Sequence, residues 1–208
     1  FLMVSGQAPH VYRFGGSSDR AIIRRRIAGR VEDLVTDFEG TVFRFVSPRF
    51  ASTADLFAGK GALFCSGRWL VKDYCLATYT ALDPETALAE SLAAGRYYGF
   101  PVAQSTPMVL VSASVKLKKV VDLTDGRVRQ RLRFSERAMV ECDWRSENQS
   151  GTEAMTQAYG WGFAESGVEA ILAPSAALSK GRNLIVFPSN LEPESHLTVT
   201  REVEWPDP

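Results

Sequence analysis

Between residues 18 and 37 apolar side chains recur at helical spacing. Ile23, Ile27, Val31 and Leu34 step by three or four while Arg20, Arg24, Arg25, Arg26 and Arg30 fill the other faces. One amphipathic helix packed by its isoleucine stripe is predicted, and docking of an acidic partner or a second copy is the sharper reading of the same arginines. Residues 41–46 then read as a strand that ends at Ser47-Pro48, and residues 76–82 (LATYTAL) as a second, rich in Thr, Tyr and alternating apolar positions. Asp83-Pro84 predicts a helix start, the Asp side chain accepting from free N–H groups and the Pro sitting where no donor is missed. A long strand is expected over residues 107–117, with Val109, Val111, Ala113 and Val115 on one face, and residues 120–123 extend the sheet. Residues 125–134 form a basic helical stretch whose Arg127, Arg129, Arg131 and Arg133 read as a solvated face, and residues 135–151 have no clear period. Thr152 is the expected N-cap of a helix over residues 152–166, in which Met155, Tyr159 and Phe163 step by four. Residues 168–172 and 184–187 are core strands, and residues 196–205 alternate like an edge strand. Strands and helices do not alternate regularly, so the fold class is α+β.

Chemistry-bearing residues gather at element ends in residues 65–90. Arg68 lies on a turn led by Gly67, Tyr79 on a strand, and Glu90 on the second turn of the helix begun at Asp83. Around Glu90 the helical neighbours Thr86, Ala87, Ala93 and Ala94 are all small, whereas Leu88 and Leu92 point about 160° away. The helix is therefore expected to bury its leucine face and to hold the carboxylate on another face with room beside it. Taken one at a time, such residues are ordinarily a solvated Glu, a surface-turn Arg and a packed Tyr. Spacing alone names no reaction.

Composition narrows the alternatives. Lys plus Arg and Asp plus Glu number 24 each in 208 residues, so the formal net charge is zero and a broad phosphate-neutralising surface is not expected. Three cysteines without CxxC spacing fit a reducing compartment and packing roles. No run of 18 apolar residues is present, so neither a spanning helix nor a membrane partner is expected. Gly59-Lys60-Gly61 lacks the remainder of a phosphate loop, Gly160 and Gly162 do not complete a dinucleotide fingerprint, and no GxSxG accompanies His10 or His196. Residues 1–17 read as an irregular arm.

Four blocks together resemble the RES domain family: VFRFVSPRFA at residues 42–51, GALFCSGRW at 61–69, ATYTALDPETALAES at 77–91, and GVEAILAPSAALSKGRNLIVFPSN at 167–190. The resemblance makes Arg68, Glu90 and Ser175 the arginine, glutamate and serine for which the family is named, with Arg44, Tyr79 and Asn183 as further pocket residues. It divides the chain into an arm and amphipathic helix (1–40), the RES domain (41–200) and a tail (201–208). After GRW the chain departs from the family pattern, reading Leu70-Val71-Lys72-Asp73-Tyr74 where an Asn and a Gly-containing loop are usual. The fold implied is ADP-ribosyltransferase-like, two small sheets with surrounding helices forming an NAD cleft.

The implied function is that of a cytoplasmic toxin of a toxin-antitoxin pair. It would cleave the nicotinamide-ribose bond of NAD, as a glycohydrolase or phosphorylase, with NAD as substrate and no metal. Modification of a host protein as an ADP-ribosyltransferase, and a non-catalytic binding or co-repression module, are the alternatives. An Xre-like antitoxin is the implied partner, carrying the DNA binding for a toxin that makes no direct nucleic-acid contact, with room for a homodimer inside the complex.

Overall fold

Residues 20–48, 51, 56–102 and 108–205 are described in the computed structural model of the chain. The arm expected over residues 1–17 lies outside them. Six strands, β1 (Val35–Val46), β2 (Thr78–Ala81), β3 (Met108–Asp122), β4 (Ala170–Pro174), β5 (Arg182–Val186) and β6 (His196–Trp205), form one network in the order β1-β2-β5-β4-β3-β6, with a further β1–β3 pairing. β3 is the pivot. One of its edges follows β1 antiparallel from Val109 to Val121, and the other pairs with β6 up to Lys116 and then with β4, parallel, from Val120. Two antiparallel groups, β1-β3-β6 and β2-β5-β4, are thereby joined where separate small sheets were expected. The seams are the short parallel β3–β4 pairing and the single register pair Phe43–Ala81.

The change of partner along β3 needs a device, because the amides of Lys118 and Lys119 fall between the two ladders. The buried carboxylate of Glu169, immediately before β4, accepts from both, at 2.6 and 3.2 Å. Buried N–H groups left unpaired there would cost about as much as a lost hydrogen bond. Alternation on β3 is as expected, with Val109, Val111, Ala113, Val115 and Leu117 buried. The two expected segments are one strand.

Seven α-helices are described: α1 (Arg20–Ile27), α2 (Pro84–Ser91), α3 (Ala93–Tyr98), α4 (Gly126–Leu132), α5 (Glu136–Val140), α6 (Trp144–Gln149) and α7 (Met155–Glu165). Ile23 and Ile27 of α1 are fully buried in a cluster with Trp69, Phe134, Tyr159, Phe163 and Ile185. A second cluster, including Val42, Val115, Leu172 and Leu184, packs the other face of the strands.

Four expectations are corrected. α1 stops at Ile27, since Gly29 turns the chain at φ +77° and β1 has begun by Val35. Thr152 does not cap α7: its hydroxyl donates to Glu147 O, while Gln157 Oε1 accepts from the N-cap amide of Ala154 at 2.9 Å. The buried face of α2 is Thr86 and Ala87, with Leu88 and Leu92 only half-buried. Residues 135–151 hold α5 and α6, capped by Ser135 and Asp143.

Candidate active site

Strand register places the first group of candidate residues on one face. Tyr79 stands opposite Ile185, Ala81 opposite Asn183, and Asn183 opposite Ala173. Strand alternation therefore turns Tyr79, Asn183 and Ala173 to the same side, and Ser175 follows two residues beyond Ala173. The chain leaves β2 and enters α2 at Asp83, whose carboxylate accepts from Thr86 N and Thr86 Oγ1, both at 2.7 Å. Gly181 lets α2 close down on the turn after β4: a Cβ there would lie 2.6 Å from Thr86 Oγ1. The small-residue face of α2 is thus drawn onto the strand ends, and Glu90 arrives over them.

Its carboxylate is fixed from two sides. Ser175 Oγ and Asn183 Nδ2 each donate to Glu90 Oε1 at 2.6 Å. The assignment of the Asn183 amide follows, since a carboxylate can only accept. Among the described residues Asn183 Oδ1 is buried with no partner, and no donor reaches Glu90 Oε2. Ser175 is itself held, its oxygen accepting from Ala177 N and Leu178 N at 3.1 Å. One carboxylate oxygen is left uncommitted, with a buried, unpaired amide oxygen on the residue that holds its neighbour.

The second group is built on the turn at Gly67. Gly67 N donates to Leu70 O, Gly67 O accepts from the buried Gln157 Nε2 at 2.9 Å, and Trp69 N donates to Tyr79 OH at 3.3 Å. A Cβ on residue 67 would meet that phenol oxygen at 2.6 Å, so the glycine permits the contact. The Tyr79 hydroxyl supports the turn that carries Arg68, and burial raises its pKa, keeping it neutral. Arg68 spends both hydrogens of Nη1 on carbonyls, Met139 O at 2.7 Å and Cys142 O at 2.9 Å. Among the described residues Nε and Nη2 have no protein acceptor. Burial lowers its pKa, and nearby Cys142 and Glu90 oppose that shift, so the guanidinium remains a cation.

Arg44 stands apart from both groups. It projects from β1 on the side of Val42 and Val46, donates to Leu56 O at 2.7 Å, and makes no hydrogen bond or ion pair with Glu90, Ser175 or Asn183. Burial lowers its pKa without depriving it of charge. The supports have no reading in the sequence: Asp83 beyond its capping role, Gln157, and the Met139 and Cys142 carbonyls that aim Arg68. Gln157 carried a signal, an amide three residues after a helix N-cap. The carbonyls had none. Among the described residues no three His, Cys, Asp or Glu side chains are grouped as they would be around a metal ion.

The family model of the RES domain matches residues 41–206. The chain belongs to the RES domain family. In three dimensions this RES domain is similar to a chain of the crystal structure of the M. tuberculosis MbcT-MbcA toxin-antitoxin complex, with TM-score 0.65 and 19% identity over 88% of this chain and 91% of that one. At that identity the likeness is one of fold. No curated protein matches the chain. The RES match starts inside β1, yet α1 shares the core of the matched region through Ile23 and Ile27. No described helix is long and apolar enough to cross a membrane.

Proposed function

We propose that this RES domain is the toxin of a toxin-antitoxin pair and that it breaks the nicotinamide-ribose bond of NAD. The observation that carries the reading is the doubly held Glu90 carboxylate, with Oε2 uncommitted and the Arg68 cation close enough for the two charges to interact. Loss of nicotinamide builds positive charge on the anomeric carbon, as in glycoside cleavage. A carboxylate beside that carbon stabilises the charge or holds the 2′-hydroxyl, and one already fixed by Ser175 and Asn183 does so without reorganising during the reaction.

The remaining groups suit the rest of the dinucleotide. Nε and Nη2 of Arg68 present a donor fork to the diphosphate. Tyr79, a half-buried residue, supplies an aromatic ring to stack on nicotinamide, and Asn183 an unpaired amide oxygen to accept from a ribose hydroxyl once the bound ligand reaches it. On this reading the two three-stranded groups flank an ADP-ribosyltransferase-like NAD cleft. The bond broken is C1′–N of the nicotinamide ribose. Its electron pair leaves with nicotinamide, and C1′ gains an oxygen from water, from inorganic phosphate or, in the transferase alternative, a nucleophilic atom of another protein.

We place the protein in the cytoplasm, paired with an Xre-like antitoxin that covers the site. The structural neighbour is part of a toxin-antitoxin complex, which supports the pairing. The deciding experiment follows nicotinamide release from NAD by the purified protein, with and without phosphate, beside Glu90→Gln. Release abolished by the substitution is the expected result, and phosphate dependence separates phosphorolysis from hydrolysis. Release only when a target protein is added selects the transferase, and no release with any acceptor leaves the binding module.

A further inference from the structure

Two arginine runs about a hundred residues apart in sequence meet in space. Arg25, Arg26 and Arg30, from α1 and the turn after it, face Arg131 and Arg133 at the end of α4, and with Ile22 they line a groove enclosing about 240 Å³. No acid lines it. Where these side chains are held, the partners are neutral: Arg30 Nη1 donates to Arg131 O at 3.4 Å, Arg131 Nη1 to Asp33 O at 3.0 Å, and Arg26 Nη1 to Tyr159 OH at 3.2 Å. Other arginines of the same two helices do have acids. Arg20 pairs with Glu153 at 2.7 Å, Arg24 with Glu165 at 2.8 Å and Arg129 with Glu136 at 3.2 Å. Unpaired cations thus converge on the groove in a chain whose formal charge is zero, although mutual repulsion disfavours such a cluster.

We propose that this groove docks an acidic segment of a partner protein. A guanidinium presents its donors as a planar fork that matches a carboxylate two bonds at a time, and several forks around one groove select several carboxylates close together. A peptide fits better than nucleic acid. Glu32 and Asp33 lie in the 3-10 turn beside Arg30, and Asp125 caps the start of α4, so a phosphodiester track running out of the groove would meet like charge. The chain's own first 19 residues do not supply the complement, since Asp19 is their one acid. None of the lining residues belongs to the Glu90 and Arg68 groups, and the proposal stands independently of the NAD reading.

The test is fluorescence anisotropy at low salt with a labelled peptide of alternating glutamate and alanine, beside a lysine-alanine peptide and a random-sequence DNA duplex. The variant is Arg25→Glu with Arg133→Glu, both exposed in the native fold. Arg127→Glu, exposed on α4 but outside the groove, is the control. The expected result is salt-sensitive binding of the acidic peptide, weakened about tenfold or more by the double change and unaltered by the control. If the double variant melts unlike the parent, Arg25→Gln with Arg133→Gln takes its place, with a smaller loss in the same direction expected. Absence of acidic-peptide binding overturns the proposal, as does equal binding by the groove variant. Tighter binding of the duplex, lost in the same variant, replaces the peptide with nucleic acid.

Discussion

The hydroxyl of Ser175 donates to Glu90 Oε1 at 2.6 Å while its oxygen accepts from the amides of Ala177 and Leu178. Its one proton is therefore turned toward an acceptor, and its lone pairs are engaged by the turn that follows β4. Such a hydroxyl positions a carboxylate; it is poorly placed to act as a nucleophile. Ser175→Ala is expected to lower kcat for NAD cleavage about tenfold, with KM moving less and Ser175→Thr recovering part of the loss. Glu90→Gln should lower kcat about a hundredfold or more, the scale of a lost transition-state contact. Steady-state nicotinamide release on the three variants decides the order. Equal losses for Ser175→Ala and Glu90→Gln would contradict the positioning role.

Arg68 divides its donors between the protein and the open side of the site. Nη1 is anchored on Met139 O and Cys142 O, leaving Nε and Nη2. A lysine has one nitrogen and cannot hold the Met139 and Cys142 carbonyls and grip a diphosphate as a fork at the same time. Arg68→Lys is expected to weaken NAD binding by about ten- to a hundredfold, the worth of one or two charge-assisted hydrogen bonds. Calorimetric titration of NAD in a Glu90→Gln background, where turnover does not consume the ligand, measures it. Unchanged affinity would remove Arg68 from the diphosphate contact.

Gly160 serves the same turn by closeness. A Cβ built on it would sit 1.8 Å from Trp69 O, so α7 and the segment after Arg68 approach to a distance that only hydrogen allows. Trp69 is buried with its ring edge-on to Phe134 at 6.2 Å and cannot easily retreat. Gly160→Ala is expected to cost about 3 kcal/mol or more, at the upper end of overpacking effects. Gly61→Ala, with nothing within 4 Å of the added carbon, should lie close to neutral. Urea unfolding of the pair tests the contrast.

What could be read in the sequence, and what could not, follows from how local each determinant is. Strands with alternating apolar residues and the Asp83-Pro84 start declare themselves within a few residues. Glu90 stands out from its helix position alone, Asn183 and Ser175 only through a resemblance carried by blocks about a hundred residues apart, and the meeting of all three at a single oxygen depends on β2, β5 and β4 being neighbours, which no window of sequence contains. α5 and α6 run five and six residues, too short to establish a period, so the carbonyls that aim Arg68 left no trace. The leucine face of α2 misled because Gly181 and the Asp83 cap bring the small residues inward. Arg44 had the right type for a phosphate contact, but the sequence could not tell that its given partner would be Leu56 O.

Glu169 ties stability to pH through the splice in the sheet. Burial alone would raise its pKa, but the amides of Glu192, Lys118 and Lys119 donate to the carboxylate and hold it below the ordinary glutamate value. A depressed folded-state pKa means that the unfolded chain binds the proton first as acid is added. The stabilisation is therefore fully present above the unfolded value of about 4.3 and is lost as pH falls through the folded one. Glu169→Gln should lower stability at neutral pH by about 1–3 kcal/mol, because its amide group turns donors toward donors on at least one side. It should also flatten the loss of stability on the acid side. Urea midpoints at neutral pH and at about pH 3.5 measure both effects, since the gap between parent and variant is expected to narrow at the lower pH. A gap that stays constant would mean that Glu169 supports the β3 splice by shape alone.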